Sequence, residues 1–171
     1  MKKKFLALFF IFLLITPVNA DVPYYLDFKY VLNQSVAGKK AQDFLKNKLE
    51  KGINDLKKQE KSIQDEEKKI IQQKKIIKPE EYKSKVEALR NKVSKLQAQR
   101  SKLLESTANQ RNTARKELLK NLNPIIKDYM KEKGIRMVVD KKSLLLADEK
   151  LNITKDIMNL LNKQLKSIKL N

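Results

Sequence analysis

The side chains in this sequence that could carry out chemistry are almost all lysines, arginines and carboxylates. Lys and Arg together number 39, Asp and Glu number 20, and there is no cysteine, histidine or tryptophan. The familiar zinc sites, histidine-based triads and thiol nucleophiles are therefore excluded, and three glycines leave no glycine-rich phosphate loop. Carboxylates alone can act as acids or metal ligands, but here they are scattered between lysines. We expect them to be solvated charges, and we expect no enzyme activity, no metal and no cofactor.

Most of these charges lie on two long predicted helices in residues 39–123. Aliphatic residues recur at steps of seven in the first helix and alternate by three and four in the second, which is the spacing of a coiled-coil seam. Pro79 favours an extended Lys78 and a helix start, and Glu80 and Glu81 suit the N-terminal end of that helix. The chain is therefore predicted to turn back at residues 78–79. The predicted seam residues are Leu49, Leu56, Ile63, Ile70 and Ile77, then Val86, Leu89, Val93, Leu96 and Leu103.

A hairpin of this length is too long for a compact body. A helix over residues 39–77 would extend about 58 Å, whereas a compact chain of this size has a radius of gyration of about 15 Å. We therefore predict a long antiparallel hairpin, or tentacle, that projects from the rest of the molecule. An antiparallel coiled-coil spacer without a binding function accounts for the same pattern.

Residues 1–20 have the pattern of a secretory signal peptide. Three lysines follow Met1, an apolar run extends from Phe5 to Ile15, and Val18 to Ala20 resembles a signal peptidase site. The run is shorter than the roughly 20 residues that span a bilayer. We predict cleavage after Ala20 and export of the mature chain, with an uncleaved anchor as the alternative. Without cysteine there is no disulfide, so stability must come from packing or association.

The body is predicted to consist of residues 21–38 and 124–171. Strands are expected over residues 22–28 and 135–139, followed by a turn at 140–143 and an antiparallel hairpin partner at 144–147. A last helix is expected to begin near Asn152 or Thr154. The apolar face expected for this helix comprises Ile153, Ile157, Leu160, Leu161, Leu165 and Ile168.

So small a sheet is marginal alone, so we expect strands from several copies to join edge to edge. The fold class is therefore α+β and mostly α, with a small β-containing oligomerisation body. The residues expected in the oligomerisation strands are Tyr25, Leu26, Ile135, Met137, Val138, Val139 and Leu145.

A soft point is predicted within the hairpin. Folding the chain at residues 78–79 places Gly52 level with Ala108, in a polar stretch that lacks large apolar side chains. A glycine costs about 1 kcal/mol relative to alanine in a helix. We therefore predict a hinge at Gly52 and Ala108.

The charge of the hairpin predicts an anionic partner. Residues 39–123 contain 24 basic and 12 acidic residues, a net charge of +12 out of +19 for the whole chain. Such a surface attracts anions in a salt-dependent way, although a single lysine pair is usually only a solvated helix face. Export argues against nucleic acid as the partner, and leaves anionic lipid, lipopolysaccharide and acidic unfolded polypeptides.

Essentially the whole mature chain resembles the Skp/OmpH family of periplasmic chaperones, which hold unfolded outer-membrane proteins, and the resemblance implies the periplasm as the location. Two segments carry its more specific parts. The first runs from Tyr25-Leu26-Asp27 to Gln42, and the second from Gly134 to Asp140, with Asp156-Ile157 beyond it. The resemblance implies a homotrimer in which a small body carries three tentacles around a client cavity, without ATP or metal. It does not locate a lipopolysaccharide site in this lysine-rich hairpin.

Resemblance and charge together predict an ATP-independent holdase for unfolded outer-membrane β-barrel proteins. The residues expected to contact a client are Ile70, Ile71, Ile76 and Ile77, near the tip. Ile71 and Ile76 lie off the seam, where a client could reach them, although all four could simply close the hairpin end. The alternatives are an envelope structural spacer and a basic protein that binds lipopolysaccharide or another polyanion.

Overall fold

The computed structural model describes residues 22–170, so the predicted signal peptide lies outside the described residues. Within these residues the fold consists of two short strands and four α-helices. In chain order they are β1 (Tyr24–Leu26), α1 (Phe28–Gln34), α2 (Val36–Gln73), α3 (Pro79–Lys133), β2 (Val138–Asp140) and α4 (Thr154–Gln164), with 3-10 turns at Lys141–Ser143 and Glu149–Leu151.

Helices α2 and α3 form the predicted antiparallel hairpin. They contain 38 and 55 residues, so they extend about 57 and 82 Å. Pro79 is the first residue of α3 and Lys78 before it is extended, as proline requires. Helix α2 ends at Gln73, whose carbonyl accepts the N–H groups of Ile76 and Ile77. The turn is thus wider than a fold at residues 78–79, while the predicted α+β class with a long hairpin is confirmed.

A close backbone approach separates α1 from α2. Ser35 is buried and extended, and its Oγ accepts the N–H of Gly38. A Cβ atom on Gly38 would lie 2.0 Å from the carbonyl oxygen of Leu32. The chain therefore turns from α1 into α2 only because residue 38 has no side chain.

The sheet differs from the predicted hairpin of strands. Strand β2 pairs in parallel with β1, with Tyr25 opposite Val139, and residues 144–147 form no strand. Asp140 and Asp148 accept backbone N–H groups of the two 3-10 turns, and this capping draws the segment away from β2. The predicted strand pairing of Leu145 was therefore wrong, and its side chain is fully exposed.

Strand β2 is also shorter than predicted. It begins at Val138, and neither Ile135 nor Met137 belongs to it. Helix α3 ends with Gly134 in the left-handed conformation, after which Ile135 donates its N–H to Met130 and enters the core. Ile135 therefore completes the helix end, and the side chain of Met137 remains exposed.

The body core draws on every part of the chain except the arms. Helix α3 continues through Pro124 into this core, so the hairpin and the body share one helix. Helix α4 ends at Gln164, before the predicted Leu165 and Ile168. Its N-cap residue is Ile153, so the predicted cap at Asn152 or Thr154 was wrong, although Asn152 Oδ1 accepts the N–H of Thr154. The buried cluster comprises Leu26, Val31, Leu122, Ile125, Ile126, Ile135, Ile153, Ile157 and Leu161.

A side-chain hydrogen bond joins the end of α3 to α4. The Tyr129 hydroxyl donates to Asp156 Oδ2 at 2.7 Å. Partial burial, and then the hydrogen bond and charge of Asp156, raise the pKa of Tyr129 to about 12.

We expect Gly38→Ala to destabilise the body, because the new methyl group would overlap a backbone carbonyl that cannot rotate away. Overpacking of this kind costs about 1 to 3 kcal/mol. Urea unfolding of the mature protein measures the loss, and Lys39→Ala at the exposed next position is the control, with an expected change under about 0.5 kcal/mol. Equal stability of the two variants would contradict the close approach.

The raised pKa of Tyr129 predicts a loss of stability at alkaline pH. In the unfolded chain the phenol ionises near its ordinary pKa of 10.0, whereas in the folded chain it stays neutral to about 12. Its stabilising contribution is therefore complete below pH 10 and falls as the pH rises towards 12. Urea midpoints at about pH 9 and about pH 11.5 should fall further for the native protein than for Tyr129→Phe. An equal fall in both would refute the assignment.

Candidate functional site: the helical hairpin

The two arms are held together by one apolar seam. Its buried residues are Leu45, Leu56 and Ile70 from α2, and Leu96, Thr107, Ala114 and Leu118 from α3. The aliphatic residues predicted at every seventh position of the first arm are all buried or half-buried. Val93 is the exception in the second arm, because its side chain is 49% exposed.

Polar side chains bridge the arms on either side of the seam. Lys92 pairs with Glu66, Arg100 Nη2 lies 3.4 Å from Glu60 Oε2, and Lys85 Nζ donates to Gln73 at 2.9 Å. Exposed pairs of this kind contribute only about 0 to 1 kcal/mol each. They help to define how the two helices align, while the buried seam supplies the packing energy.

The predicted surroundings of Gly52 were wrong. A Cβ atom on Gly52 would lie 2.6 Å from Leu103 Cδ1, so a large apolar side chain fills the seam at this level. Ala108 is exposed and does not lie in the seam. The contacts of Glu66 with Lys92 and of Gln73 with Lys85 are centred on residue 79, so the centre of the fold is where the sequence predicts it. Leu103 lies about one and a half turns before Ala108, on the inner side of α3, and therefore meets Gly52 instead.

Two hydroxyl groups nonetheless weaken the backbone hydrogen bonding of α3 close to Gly52. The hydroxyls of Ser106 and Thr107 both donate to the carbonyl of Leu103, at 3.0 and 2.7 Å. Such back-bonding competes with the helix ladder and often bends helices. A hinge therefore stays a prediction, now placed at Gly52 and Leu103 instead of Gly52 and Ala108.

At the tip, two of the four predicted client-contact residues face solvent. Ile71 is 60% exposed and Ile76 is 82% exposed, whereas Ile70 is buried and Ile77 is half-buried. Lys74 Nζ lies 5.8 Å from the ring centroid of Tyr82, which places a cation among these aliphatic groups. The tip can therefore offer apolar and cationic contacts together.

Other exposed apolar side chains lie along the arms, where sequence reasoning did not single them out. Phe44, Ile53 and Leu104 are 38 to 58% exposed. Each lies one position before or after a seam residue. This spacing in the sequence could have identified them as exposed side chains beside the seam.

A cleft lies where the arms meet the body. Its volume is about 790 Å³, and its wall combines apolar side chains such as Phe28, Leu32 and Leu49 with Arg111 and Arg115. The cleft is open to the same solvent as the arms. It provides a concave apolar surface beside positive charge.

Some of the residues predicted for oligomerisation are buried within the chain itself, and others lie at or near an exposed strand edge. Tyr25, Leu26 and Ile135 are buried within the chain itself. Strand β1 is bounded by β2 on one side and by a bridge from Tyr25 to Asn152 on the other. In residues 22–170 the outer edge of β2 therefore has no neighbouring strand, and the exposed Met137 lies just before it.

Within residues 22–170, no group of three or more carboxylates is placed to hold a metal ion. In the same part of the chain, no helix is long and apolar enough to cross a bilayer.

Comparisons with known proteins identify a family. The sequence model of the OmpH-like outer membrane protein family matches residues 24–161. A crystal structure of an OmpH-like protein from Caulobacter crescentus CB15, a candidate outer membrane chaperone, has a TM-score of 0.82 at 16% identity and covers 90% of this chain and 92% of that chain. At this identity the likeness establishes the fold. A comparison with curated proteins finds no match.

We expect Gly52→Ala to change the unfolding free energy by less than about 1 kcal/mol, because the helix propensity gained offsets the displacement of the flexible Leu103 side chain. If this level is a hinge, the same substitution should slow amide hydrogen exchange at residues 50–55. Exchange there in the native protein that is no faster than in neighbouring turns of α2 would refute the hinge. Ala41→Gly, in the same helix, is the control for the effect of glycine alone.

Proposed function

Because the chain belongs to the OmpH-like family, we propose that it is a periplasmic chaperone that binds unfolded outer-membrane β-barrel proteins and prevents their aggregation. The observation that carries this proposal is the projecting hairpin, whose exposed aliphatic side chains lie among positive charges. Binding requires no nucleotide and no metal. The mature chain begins after Ala20 and works in the periplasm.

Charge acts at long range in this mechanism and apolar contact at short range. The net charge of +12 on residues 39–123 attracts acidic unfolded chains and speeds encounter. Aliphatic side chains such as Ile71 and Ile76 then cover apolar groups of the client. Each contact contributes little binding free energy, because binding buries each side chain only in part. Many weak contacts keep a client soluble without imposing a structure on it.

Release follows from competition. Since no nucleotide is consumed, the client leaves when folding into the outer membrane removes its apolar residues from water. Weak individual contacts make this exchange fast. The hinge proposed near Gly52 would let the arms fit clients of different size.

The proposed assembly is a homotrimer whose three hairpins surround the client. The core of one body is small, the outer edge of β2 has no strand beside it in residues 22–170, and Met137, directly before β2, is 57% exposed. Addition of a strand from a second copy at this edge would satisfy its backbone groups and cover this side chain.

Two other functions predict different behaviour. A structural spacer needs no exposed aliphatic side chains at the tip, and so does not account for Ile71 and Ile76. A binder of lipopolysaccharide or another polyanion would use the lysines, with affinity that falls steeply with salt and little dependence on apolar groups.

The test is native mass spectrometry of residues 21–171, alone and after dilution of a urea-unfolded outer-membrane barrel protein at low salt. A trimer that holds one barrel chain soluble is the expected result. A monomer or dimer that leaves the barrel to aggregate would favour the spacer, and loss of all binding at moderate salt would favour the polyanion binder.

Ile71→Ser together with Ile76→Ser is expected to weaken client binding by about five- to tenfold, because two partly buried aliphatic contacts are lost. Gln72→Ser, at the exposed position after Ile71, is the control and should bind normally. Fluorescence titration of a labelled unfolded barrel protein measures both. Unchanged affinity of the double variant would show that the tip only closes the hairpin.

A further inference from the structure

One side of the hairpin carries a row of exposed aliphatic residues. Ile53 and Ile71 follow the seam residues Gly52 and Ile70 in α2, and they are 18 residues apart, which is five helical turns. In α3, Val93 and Leu104 are 11 residues apart, about three turns. All four are 38 to 60% exposed. Each helix therefore has one aliphatic row, rotated away from the seam by roughly a quarter turn.

The two rows lie on the same side of the hairpin. One step along a helix rotates a side chain by about 100°, and in an antiparallel pair the same rotation turns both helices towards one side. A cross-arm contact supports this geometry. Glu60, two turns after Ile53, meets Arg100, one turn before Leu104, at 3.4 Å. The Glu66–Lys92 contact lies on the opposite side of the seam.

Within the hairpin, arginine is confined to this same side. The chain has five arginines, and four of them lie on α3, at exposed positions spaced so that they share an arc of about 80° with Val93 and Leu104. Lys92, Lys95 and Lys102 of α3 point away from it. We call this side the arginine face: Ile53, Ile71, Val93 and Leu104 with Arg90, Arg100, Arg111 and Arg115.

The chemistry of the arginine face fits a polypeptide better than it fits bulk anions. A guanidinium group is planar and weakly hydrated, stacks on aromatic rings and binds carboxylates through two parallel hydrogen bonds. A lysine ammonium is strongly hydrated and acts as a point charge. Aliphatic groups beside guanidinium groups therefore favour segments that contain both aromatic and acidic side chains.

We propose that the arginine face is the surface that holds the client, and that it takes extended segments rich in aromatic and acidic side chains. This inference rests on the proposed chaperone function. Strands of outer-membrane barrels alternate apolar and polar residues and have aromatic girdles at their ends, so they supply both kinds of group. The lysines, which lie on both sides of the hairpin, provide the long-range attraction.

The dimensions agree with such an occupant. The arginine face runs from Arg90 to Arg115, about 38 Å of helix, which equals roughly 11 residues of extended chain or one barrel strand. At the end of the arginine face nearer the body, Arg111 and Arg115 border the cleft of about 790 Å³ that contains Phe28 and Leu32. An extended segment can therefore lie along the arm and place a side chain in the cleft.

The first test compares two glutamines on opposite sides of one helix. Gln97 lies on the arginine face, whereas Gln99, two residues later, lies on the other side of the seam, and both are exposed. Because the chain has no cysteine, Gln97→Cys and Gln99→Cys each give a single attachment point for a photocrosslinker. With a urea-unfolded outer-membrane barrel protein as the probe, at least about threefold more crosslink from position 97 is expected, since contact requires the same side of the helix.

The outcomes separate this inference from the proposed function. Equal crosslinking from both positions, in a protein that keeps the barrel soluble, would overturn the arginine face and leave the chaperone function standing. Crosslinks from position 97 to a second copy of this chain would also overturn it, because the face would then be an interface between subunits. Failure of the native protein to keep the barrel soluble would overturn the function itself.

The second test changes the guanidinium groups and keeps the charge. Replacement of Arg90, Arg100, Arg111 and Arg115 by lysine is expected to weaken barrel binding at least about threefold, because stacking on aromatic rings is reduced. Lys95→Arg with Lys102→Arg, on the opposite side, is the control and should bind as the native protein does. Equal affinity of the fourfold variant and the native protein would show that only charge matters there. Circular dichroism of both variants checks that the hairpin is intact.

Discussion

A hairpin of two helices has only one buried seam, and the rest of this molecule depends on that constraint. Leu56 and Ile70 of α2 and Leu96 of α3 are buried in the seam, and within the arms the other sides of both helices face solvent. Without a third helix, aliphatic residues beside the seam cannot be covered within the arm. The exposed Ile71 and Leu104 are therefore consequences of the architecture, and they make the arm suitable for holding apolar parts of another chain.

The same constraint explains why the body must anchor the arms. Helix α3 runs from the tip through Pro124 into the core without a break, so Leu122 and Ile126 pack against α1 and α4 while residues before them form the arm. The hairpin therefore cannot swing freely about its base. Any bending has to occur within the arms, and the level of Gly52 and Leu103 combines a glycine with hydroxyls bonded to the helix backbone.

Arginine, unlike lysine, is confined to one side of this hairpin. Lysines lie on both sides, with Lys95 and Lys102 on one and Lys57 and Lys68 on the other, and together they create a positive field, which salt weakens. The arginines share the other side with aliphatic residues, where a guanidinium group can stay in close contact with a partner. Such an arrangement adds short-range contacts on one side of the arm to an attraction that acts around the whole hairpin.

Local patterns in the sequence determined the helical hairpin, whereas only the tertiary structure decided the long-range pairings. The seven-residue spacing of Leu49 to Ile77 and the turn near Pro79 depend only on neighbours within a few helical turns, so they could be predicted without a partner, as could the exposure of Ile71. Strand β2 instead joins β1, more than a hundred residues earlier, because capped turns take the predicted partner around Leu145 away. Likewise, Leu103 and not Ala108 faces Gly52, because the level of a residue along the arm does not specify which side chain of the opposite helix points into the seam. Periodicity specifies which side of a helix is apolar, but the partner and its register depend on turn geometry and on backbone hydrogen bonds that have no local signature.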